Sequence, residues 1–266
     1  MNGIPLGRKV RPPERYDPSV LFRIERRKVE GNIFGYDLWR CYEMSWLNER
    51  GRPHAGILEI AYPSTSAFIV ESKSLKLYLA GISCERFPSK DTLVRVIASD
   101  IERTVEAQWI QVRIEGPEGF GSFMPVPEIP AESLDSLDIA VERSGPDAGL
   151  ITCTDGYVEE ALCTDLLKTV CPITGQPDWA SVLVRYRGRP MDREGLLHYL
   201  CSYRGHAGFS EDVCTLIYTD IARRCRPDEL GVTCFYTRRG GIDITARRQD
   251  RPASPGDVER IRLVRQ

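Results

Sequence analysis

The chain has 266 residues, 42% hydrophobic and 28% charged, which suits a globular protein with a sizeable core in one large domain or two small ones. Its formal net charge of −2 gives no general attraction for nucleic acid or an anionic membrane surface. No run of about 18 apolar residues could span a bilayer, and the polar N-terminus lacks the apolar core of a signal peptide. We therefore expect neither nucleic acid nor a membrane as a partner.

The cysteines indicate the compartment. There are nine, an odd number, and no two of them have the C-x-x-C spacing. This pattern disfavours a disulfide framework and the usual zinc sites, so we predict no metal site. Reduced thiols are typical of the cytosol, so we predict a cytoplasmic protein.

Residues 1–30 are rich in Arg, Pro and Lys and are predicted to form a solvated N-terminal arm. Residues 31–115 are predicted to form a first module. Its apolar periodicity indicates a hairpin of two strands, a short third strand, two helices and a final strand (36–46, 55–61, 67–70, 71–80, 91–107 and 109–114).

Glycine and proline cluster in residues 116–150, which are predicted to be a linker. Residues 151–266 are predicted to form a second module that resembles the first. It has two extended segments (157–170 and 181–186), two helices (192–203 and 209–225) and two final strands (231–236 and 242–245). Asp192 is well placed to cap the third helix. We predict an α+β fold of two similar modules with antiparallel sheets.

The segment 171–179 places a thiol and a carboxylate, Cys171 and Asp178, on either side of a turn punctuated by Pro and Gly. Such a turn can fold back, so that the carboxylate takes the thiol proton and activates a cysteine nucleophile. The alternative is more common: a buried thiol that acts as a small hydrophobic side chain, followed by an ordinary turn aspartate.

The segment 71–76 begins with Glu71 at a strand end and carries Lys73 and Lys76 on one face of a predicted helix. In one interpretation Ser72 caps this helix and the lysines are merely exposed. In the other, both lysines bind phosphates while Glu71 accepts hydrogen bonds from N–H groups of a ligand.

Two further segments allow both a structural and a functional interpretation. The run Arg238-Arg239-Gly240 is either a hairpin turn or a phosphate-binding turn in which glycine lets the backbone approach closely. In Phe209-Ser210-Glu211, either Ser210 caps the last long helix and Glu211 complements its dipole, or Phe209 stacks on a planar ligand that Glu211 binds.

The combination and order of these segments resemble one family, the NADPH-dependent 7-cyano-7-deazaguanine reductases, which are nitrile reductases of queuosine biosynthesis. The resemblance rests on Glu-Ser-Lys-Ser-Leu-Lys-Leu-Tyr at 71–78, Cys-x-Ile-Thr-x-Gln-Pro-Asp-Trp at 171–179, Tyr-Arg-Gly-Arg at 186–189, Tyr-Thr-Arg-Arg-Gly-Gly-x-Asp-Ile at 236–244 and Arg-Leu-Val-Arg-Gln at 262–266. It spans nearly the whole chain and matches the long, two-module form of the family.

The resemblance implies two tandem modules of the tunnelling fold (ββααββ) and association with a second copy as a homodimer. It implies that Cys171 adds to the nitrile carbon of 7-cyano-7-deazaguanine to give a thioimidate, and that Asp178 shuttles the protons. Two hydrides from NADPH then give the aminomethyl product, with no metal. By the same resemblance, Glu71, Phe209, Ser210 and Glu211 hold the substrate, and the cofactor lies against Ser72, Lys73, Ser74, Lys76, Arg238, Arg239 and Gly240.

One position departs from the family, whose members carry Phe-His-Glu where this chain has serine at 210. That histidine is credited with positioning substrate and helping proton transfer, whereas serine is no acid near neutral pH. His206, four residues earlier, could substitute. Two rival functions follow: an enzyme that passes the thioimidate to another nucleophile, and a deazaguanine-binding protein without catalysis. The intact lysines argue against the first, and Cys171 with Asp178 against the second.

Overall fold

The computed structural model describes residues 11–126, 128–141 and 145–266. Residues 1–10 of the predicted arm, and residues 127 and 142–144 of the predicted linker, lie outside the described residues. Within these three ranges, no helix has the length and apolar character needed to cross a bilayer.

The described residues of the first half form five strands and two α-helices. The strands are β1 (Arg23–Glu25), β2 (Phe34–Leu47), β3 (Pro53–Pro63), β4 (Phe68–Val70) and β5 (Gln111–Glu115), and the helices are α1 (Ser72–Ser83) and α2 (Lys90–Val105). Ser89 caps α2, since its side chain accepts the N–H of Thr92 at 3.1 Å.

In the second half, again among the described residues, two α-helices in succession have three strands before them and two after them. Its strands are β6 (Glu132–Ser133), β7 (Val158–Val170), β8 (Pro177–Gly188), β9 (Glu229–Arg239) and β10 (Ile242–Gln249), and its helices are α3 (Arg193–Ser202) and α4 (Ser210–Cys225). Asp192 caps α3 by accepting the N–H of Gly195 at 2.7 Å, as the sequence predicted.

Eight strands form one sheet that crosses both halves, in the order β5-β3-β2-β10-β9-β8-β7-β6. The halves join where β10 pairs antiparallel with β2, from Ile242 opposite Cys41 to Gln249 opposite Phe34. All neighbouring strands run antiparallel except β6 and β7. The predicted α+β class with antiparallel strands is therefore confirmed.

The helices cover one face of this sheet and bury two hydrophobic cores. In the first half, α1 and α2 pack on Trp39, Leu58 and Ile60. In the second, α3 and α4 pack on Val182 and Val232. Because the sheet is continuous while the helices form two pairs, the N-termini of α1 and α4 flank the place where the halves meet.

Three details of the predicted elements are corrected. Strand β8 begins at Pro177 and not at residue 181, so Asp178 lies in a strand and not in the turn. The predicted linker contains the short strand β6 and the buried Leu134, so it is not only loop. Residues 11–30 are not simply solvated, because β1 pairs with β4 and Arg26 forms an ion pair with the buried Asp37.

Candidate active site

A cavity lies at the junction of the two halves and receives most of the predicted site residues. The side that belongs to the first half is formed by Trp39, Glu71, Ser72 and Lys76. The second half contributes Cys171, Asp178, Phe209, Ser210, Glu211, Tyr236 and Arg239. The structure therefore brings into one place segments that are about a hundred residues apart in the sequence.

Cys171 follows the last residue of β7, and a tight turn holds it in place. Its N–H donates to the carbonyl of Gln176 at 2.8 Å, and its carbonyl accepts the N–H of Gly175 at 3.0 Å. Gly175 has a φ of +68°, a conformation that glycine adopts without steric cost. The thiol side chain is 6% exposed and lies in the cavity lining, so it is buried but not sealed in apolar packing.

The end of β7 also sets the position of α4. The N–H of Val170 donates to the carbonyl of His206 at 2.9 Å, and the N–H of Gly208 donates to the carbonyl of Val170 at 3.1 Å. These bonds fasten the segment before α4 to the strand that leads into Cys171. Phe209, Ser210 and Glu211 are therefore held beside the thiol.

Asp178 is the second residue of β8, on the same strand face as the buried Ala180 and Val182. That face carries the core and the cavity, which explains why the carboxylate points inward. The carboxylate forms an ion pair with Arg239 through its Oδ1 atom. Among the hydrogen bonds of the described residues, none joins the Asp178 carboxylate to the Cys171 thiol.

Glu71 is the N-cap of α1, which corrects the interpretation that Ser72 caps this helix. Its Oε1 accepts the N–H of Lys73 at 2.7 Å and its Oε2 accepts the N–H of Ser74 at 2.8 Å. The residue is 1% exposed and lines the cavity. The Ser72 hydroxyl also donates to Oε1, at 3.5 Å. Oε2 has a second lone pair, so Glu71 can accept a further hydrogen bond from a ligand.

Ser210 does not cap α4, contrary to the structural interpretation of this segment, because the N-cap is Phe209 and its side chain makes no capping bond. Ser210 instead occupies the first turn and lines the cavity. His206 lies outside the cavity lining, against Tyr203 at 5.3 Å between ring centroids. Burial and the charge of Arg27 lower the pKa of His206.

Glu211 presents an acceptor to the cavity that no protein group satisfies. It is 2% exposed, and its Oε1 has no hydrogen-bond partner within the described ranges. Burial, together with the nearby charge of Asp37, raises the pKa of Glu211 to about 8. A raised pKa favours the protonated form of Glu211, whereas a ligand with N–H donors would favour its carboxylate form.

Two cations face each other at the cavity wall. Burial and the charge of Arg239 lower the pKa of Lys76. Gly240, with a φ of +51°, passes so close to Lys76 that a β-carbon there would collide with the ammonium. Facing cations and a close backbone are features that suit a phosphate.

The remaining predicted cofactor residues lie outside the cavity lining. Ser74 is buried, and its hydroxyl donates to the carbonyl of Glu71 at 2.7 Å. Arg238 is exposed and stacks on the ring of Tyr42 at 4.5 Å. Lys73 lies in the first turn of α1, half-buried. Their contacts with a cofactor stay predictions.

Sequence reasoning missed Trp39, which also lines the cavity. It is 2% exposed, and its indole Nε1 has no hydrogen-bond partner in the described part of the chain. A buried indole N–H usually finds an acceptor, so this donor is available to a ligand. Its only sequence signal was a tryptophan in a strand, which is equally typical of core packing.

Two models of known protein families match parts of this chain. Residues 13–114 match the family described as "Nitrile reductase, 7-cyano-7-deazaguanine-reductase N-term", and residues 177–254 match the "QueF-like protein" family. The first covers the segment with Glu71 and Lys76. The second covers Asp178, Glu211 and Arg239.

Curated relatives match over nearly the full length. A protein of Bordetella parapertussis is 41% identical over 98% of this chain and 99% of its own length. One of Xanthomonas campestris pv. campestris is 43% identical over 98% and 97%, and one of Desulfotalea psychrophila is 42% identical over 91% of both chains. All three carry the name "NADPH-dependent 7-cyano-7-deazaguanine reductase".

Proposed function

This chain belongs to the NADPH-dependent 7-cyano-7-deazaguanine reductase family, and on that premise we propose that it reduces the nitrile of 7-cyano-7-deazaguanine to an aminomethyl group with NADPH, for queuosine biosynthesis. One observation supports this most directly. Cys171, Asp178 and Glu211 line one cavity, and Oε1 of Glu211 has no hydrogen-bond partner among the described residues. Such a site offers a nucleophile, a proton carrier and a recognition group together.

The proposed chemistry begins with Cys171. Its sulfur forms a bond to the nitrile carbon as Asp178 takes the thiol proton, and the former triple bond becomes a C=N double bond. The proton then passes from Asp178 to the nitrile nitrogen, which leaves a neutral thioimidate. This addition is balanced without any oxidant or reductant, so it can proceed before any hydride is delivered.

Recognition of the deazaguanine uses the unsatisfied groups of the cavity. Its N–H groups would donate to Glu211 and to Oε2 of Glu71, and the indole N–H of Trp39 would donate to a ring acceptor. Phe209 lies in the lining, where its ring can stack on the heterocycle. A buried acceptor left unpaired costs about 1–3 kcal/mol, so a ligand that satisfies Glu211 gains that amount.

The cofactor fits at the cation pair. Lys76 and Arg239 repel each other across the cavity wall, and a phosphate between them would relieve the repulsion. When bound, NADPH supplies the hydrides that reduce the thioimidate and the imine that follows. Ser72 lines the cavity beside Lys76 and can donate its hydroxyl to the same group.

The assembly and the compartment are part of the proposal. We expect the two halves to be tunnelling-fold modules that associate with a second copy in a homodimer, as the family resemblance implies. We also expect a cytoplasmic enzyme. All nine cysteines are free thiols, and the proposed nucleophile must stay reduced.

The test is a two-stage assay on the purified chain. Mixing with 7-cyano-7-deazaguanine alone should give a thioimidate absorbance and a mass increase equal to the substrate, and NADPH added afterwards should be oxidised. Cys171→Ala should abolish the adduct, and Asp178→Asn should slow its formation about 10²–10⁴-fold. An adduct without NADPH oxidation would favour the thioimidate-transferring enzyme, which the serine at position 210 keeps open, and neither signal would favour a binding protein.

A further inference from the structure

The guanidinium of Arg239 bridges Gln176 in the Cys171 turn and Asp178 at the start of β8. Its Nη1 forms an ion pair with Oδ1 of Asp178, and its Nη2 donates to Oε1 of Gln176 at 2.6 Å. Gln176 in turn accepts the backbone N–H of Cys171 through its carbonyl at 2.8 Å. Arg239 therefore holds both the proposed proton carrier and the turn that carries the nucleophile.

A β-bulge brings this arginine, and not its neighbour, to the cavity. The pairing of β9 with β10 shifts register between Ile242 opposite Arg239 and Ile244 opposite Tyr236, so β9 has one extra residue there. Regular alternation would place Arg238 on the cavity face with Tyr236. The bulge reverses this. Tyr236 and Arg239 line the cavity, and Arg238 turns to the ring of Tyr42.

We infer that Arg239 is a positioning residue for Asp178: it fixes the carboxylate beside Cys171 for the transfer of the thiol proton, before any cofactor is bound. The inference rests on the proposed thiol addition and deepens it. Two parallel contacts from one planar guanidinium restrict the rotamers of Asp178 and Gln176 together, which a single charge on a flexible stem cannot do.

This role differs from that of a cofactor ligand in one measurable way. Formation of the thioimidate consumes no NADPH. A residue that only holds a cofactor phosphate leaves the rate of adduct formation unchanged, whereas a residue that positions Asp178 changes that rate with no cofactor present. Loss of correct geometry at a reacting group commonly costs on the order of 10²-fold in rate.

The experiment follows adduct formation in single turnover without NADPH, by absorbance and by intact mass. We expect Arg239→Met to slow it at least about ten-fold, and Arg239→Lys to restore only part of the rate, since one ammonium cannot make both contacts. Arg185→Met is the matched control: it removes an ion pair with Glu259 (3.2 Å) from the same strand as Asp178 and should leave the rate unchanged.

Two further variants make the result decisive. In a protein that already carries Asp178→Asn, Arg239→Met should slow adduct formation little further, because both changes disable the same proton transfer by Asp178. Gln176→Ala keeps the Arg239–Asp178 ion pair and should slow the adduct less than Arg239→Met does. Arg239→Lys serves as the readout should Arg239→Met fail to fold, and a rate equal to that of the unaltered chain would then overturn the inference.

The rates of adduct formation in the unaltered chain and in Arg239→Met show whether the proposed function or only the positioning role is wrong. If the unaltered chain forms no adduct, the proposed function fails. If the unaltered chain and Arg239→Met form the adduct at the same rate while the KM for NADPH rises in the variant, Arg239 is a cofactor ligand and the positioning role is wrong.

Discussion

Glu71 accepts the backbone N–H of Ser74 at 2.8 Å, so a carboxylate that faces the cavity also holds the first turn of α1. That turn carries Ser72 and leads to Lys76, both of which line the same cavity. The proposed substrate and cofactor contacts therefore share one buried side chain. Any change at Glu71 affects the helix and the cavity together.

Replacement of Glu71 by alanine should lower the stability of the protein and weaken its binding of substrate. Loss of the cap should lower the free energy of unfolding by about 1 kcal/mol, and loss of the acceptor should weaken deazaguanine binding at least about ten-fold. Urea unfolding and calorimetric titration would measure them. Ser89→Ala removes the cap of α2 away from the cavity, and should lower stability without weakening binding. Equal binding by Glu71→Ala and the unaltered chain would exclude a substrate role for Glu71.

The raised pKa of Glu211 predicts a pH dependence of stability. Burial and the charge of Asp37 raise this pKa from 4.5 to about 8, so between these values the native state holds a proton that the unfolded chain has lost. The stabilisation is complete below pH 4.5 and is lost as the pH rises through 8. Between pH 5 and pH 8.5, the unfolding free energy should therefore fall less for Glu211→Gln than for the unaltered chain. Glu102→Gln, at an exposed position of α2, should behave like the unaltered chain.

The same protonation state has a consequence for binding. A ring edge that donates hydrogen bonds to Glu211 stabilises its carboxylate form, so binding at pH 7 should release a proton. We would titrate deazaguanine into the protein in two buffers of different ionisation enthalpy. The two observed binding enthalpies should then differ by the difference between the buffers' ionisation enthalpies, multiplied by the number of protons released. Glu211→Gln should give the same enthalpy in both buffers. Identical enthalpies for the unaltered chain would mean that Glu211 stays protonated in the complex.

Much of the fold could be predicted because hydrophobic periodicity and side-chain caps are local. Asp192 was identified as a cap from its position alone, and the structure confirms it. Glu71 was not, because glutamate is uncommon at N-caps and Ser72 beside it is a favoured type. The start of β8 was placed too late because Pro177 and Asp178 are typical of turns.

The geometry of the site depends on contacts that no local pattern reports. The sequence does not distinguish Arg238 from Arg239, and the bulge that separates them is set by pairing with β10. Trp39 gave no signal because its unpartnered N–H becomes evident only when the neighbouring strands and helices are in place. The join between β10 and β2 similarly depends on strands about 200 residues apart.

The serine at position 210 predicts a gain of activity. Ser210 lines the cavity in the first turn of α4, where the family resemblance of the sequence implies a histidine, a side chain that can act as a general acid. Ser210→His should raise the rate of NADPH oxidation by about ten-fold or more, since one general acid is commonly worth 10²–10⁴-fold. Ser210→Asn, which adds bulk and hydrogen bonds but no acid, should not. Equal rates for both variants would assign the gain to packing.

Buried ion pairs cross the junction between the halves, among them Arg40 with Asp243 and Arg248 with Asp37. Arg248 is 1% exposed, donates to Oδ1 of Asp37 at 2.8 Å and donates to the carbonyl of Glu211 at 3.0 Å. Arg248→Met leaves the Asp37 carboxylate with less compensation for its burial, so we expect a loss of about 3–5 kcal/mol in unfolding free energy. Urea unfolding at pH 7 measures this.

Two variants test whether charge compensation is the cause. Arg187→Met breaks an exposed pair with Glu229 and should cost at most about 1 kcal/mol. Asp37→Asn combined with Arg248→Met removes both buried charges and should recover part of the stability lost in Arg248→Met. If the double variant is less stable than the single one, the packing of the arginine stem and its bond to the carbonyl of Glu211 stabilise the junction, and the ion pair does not.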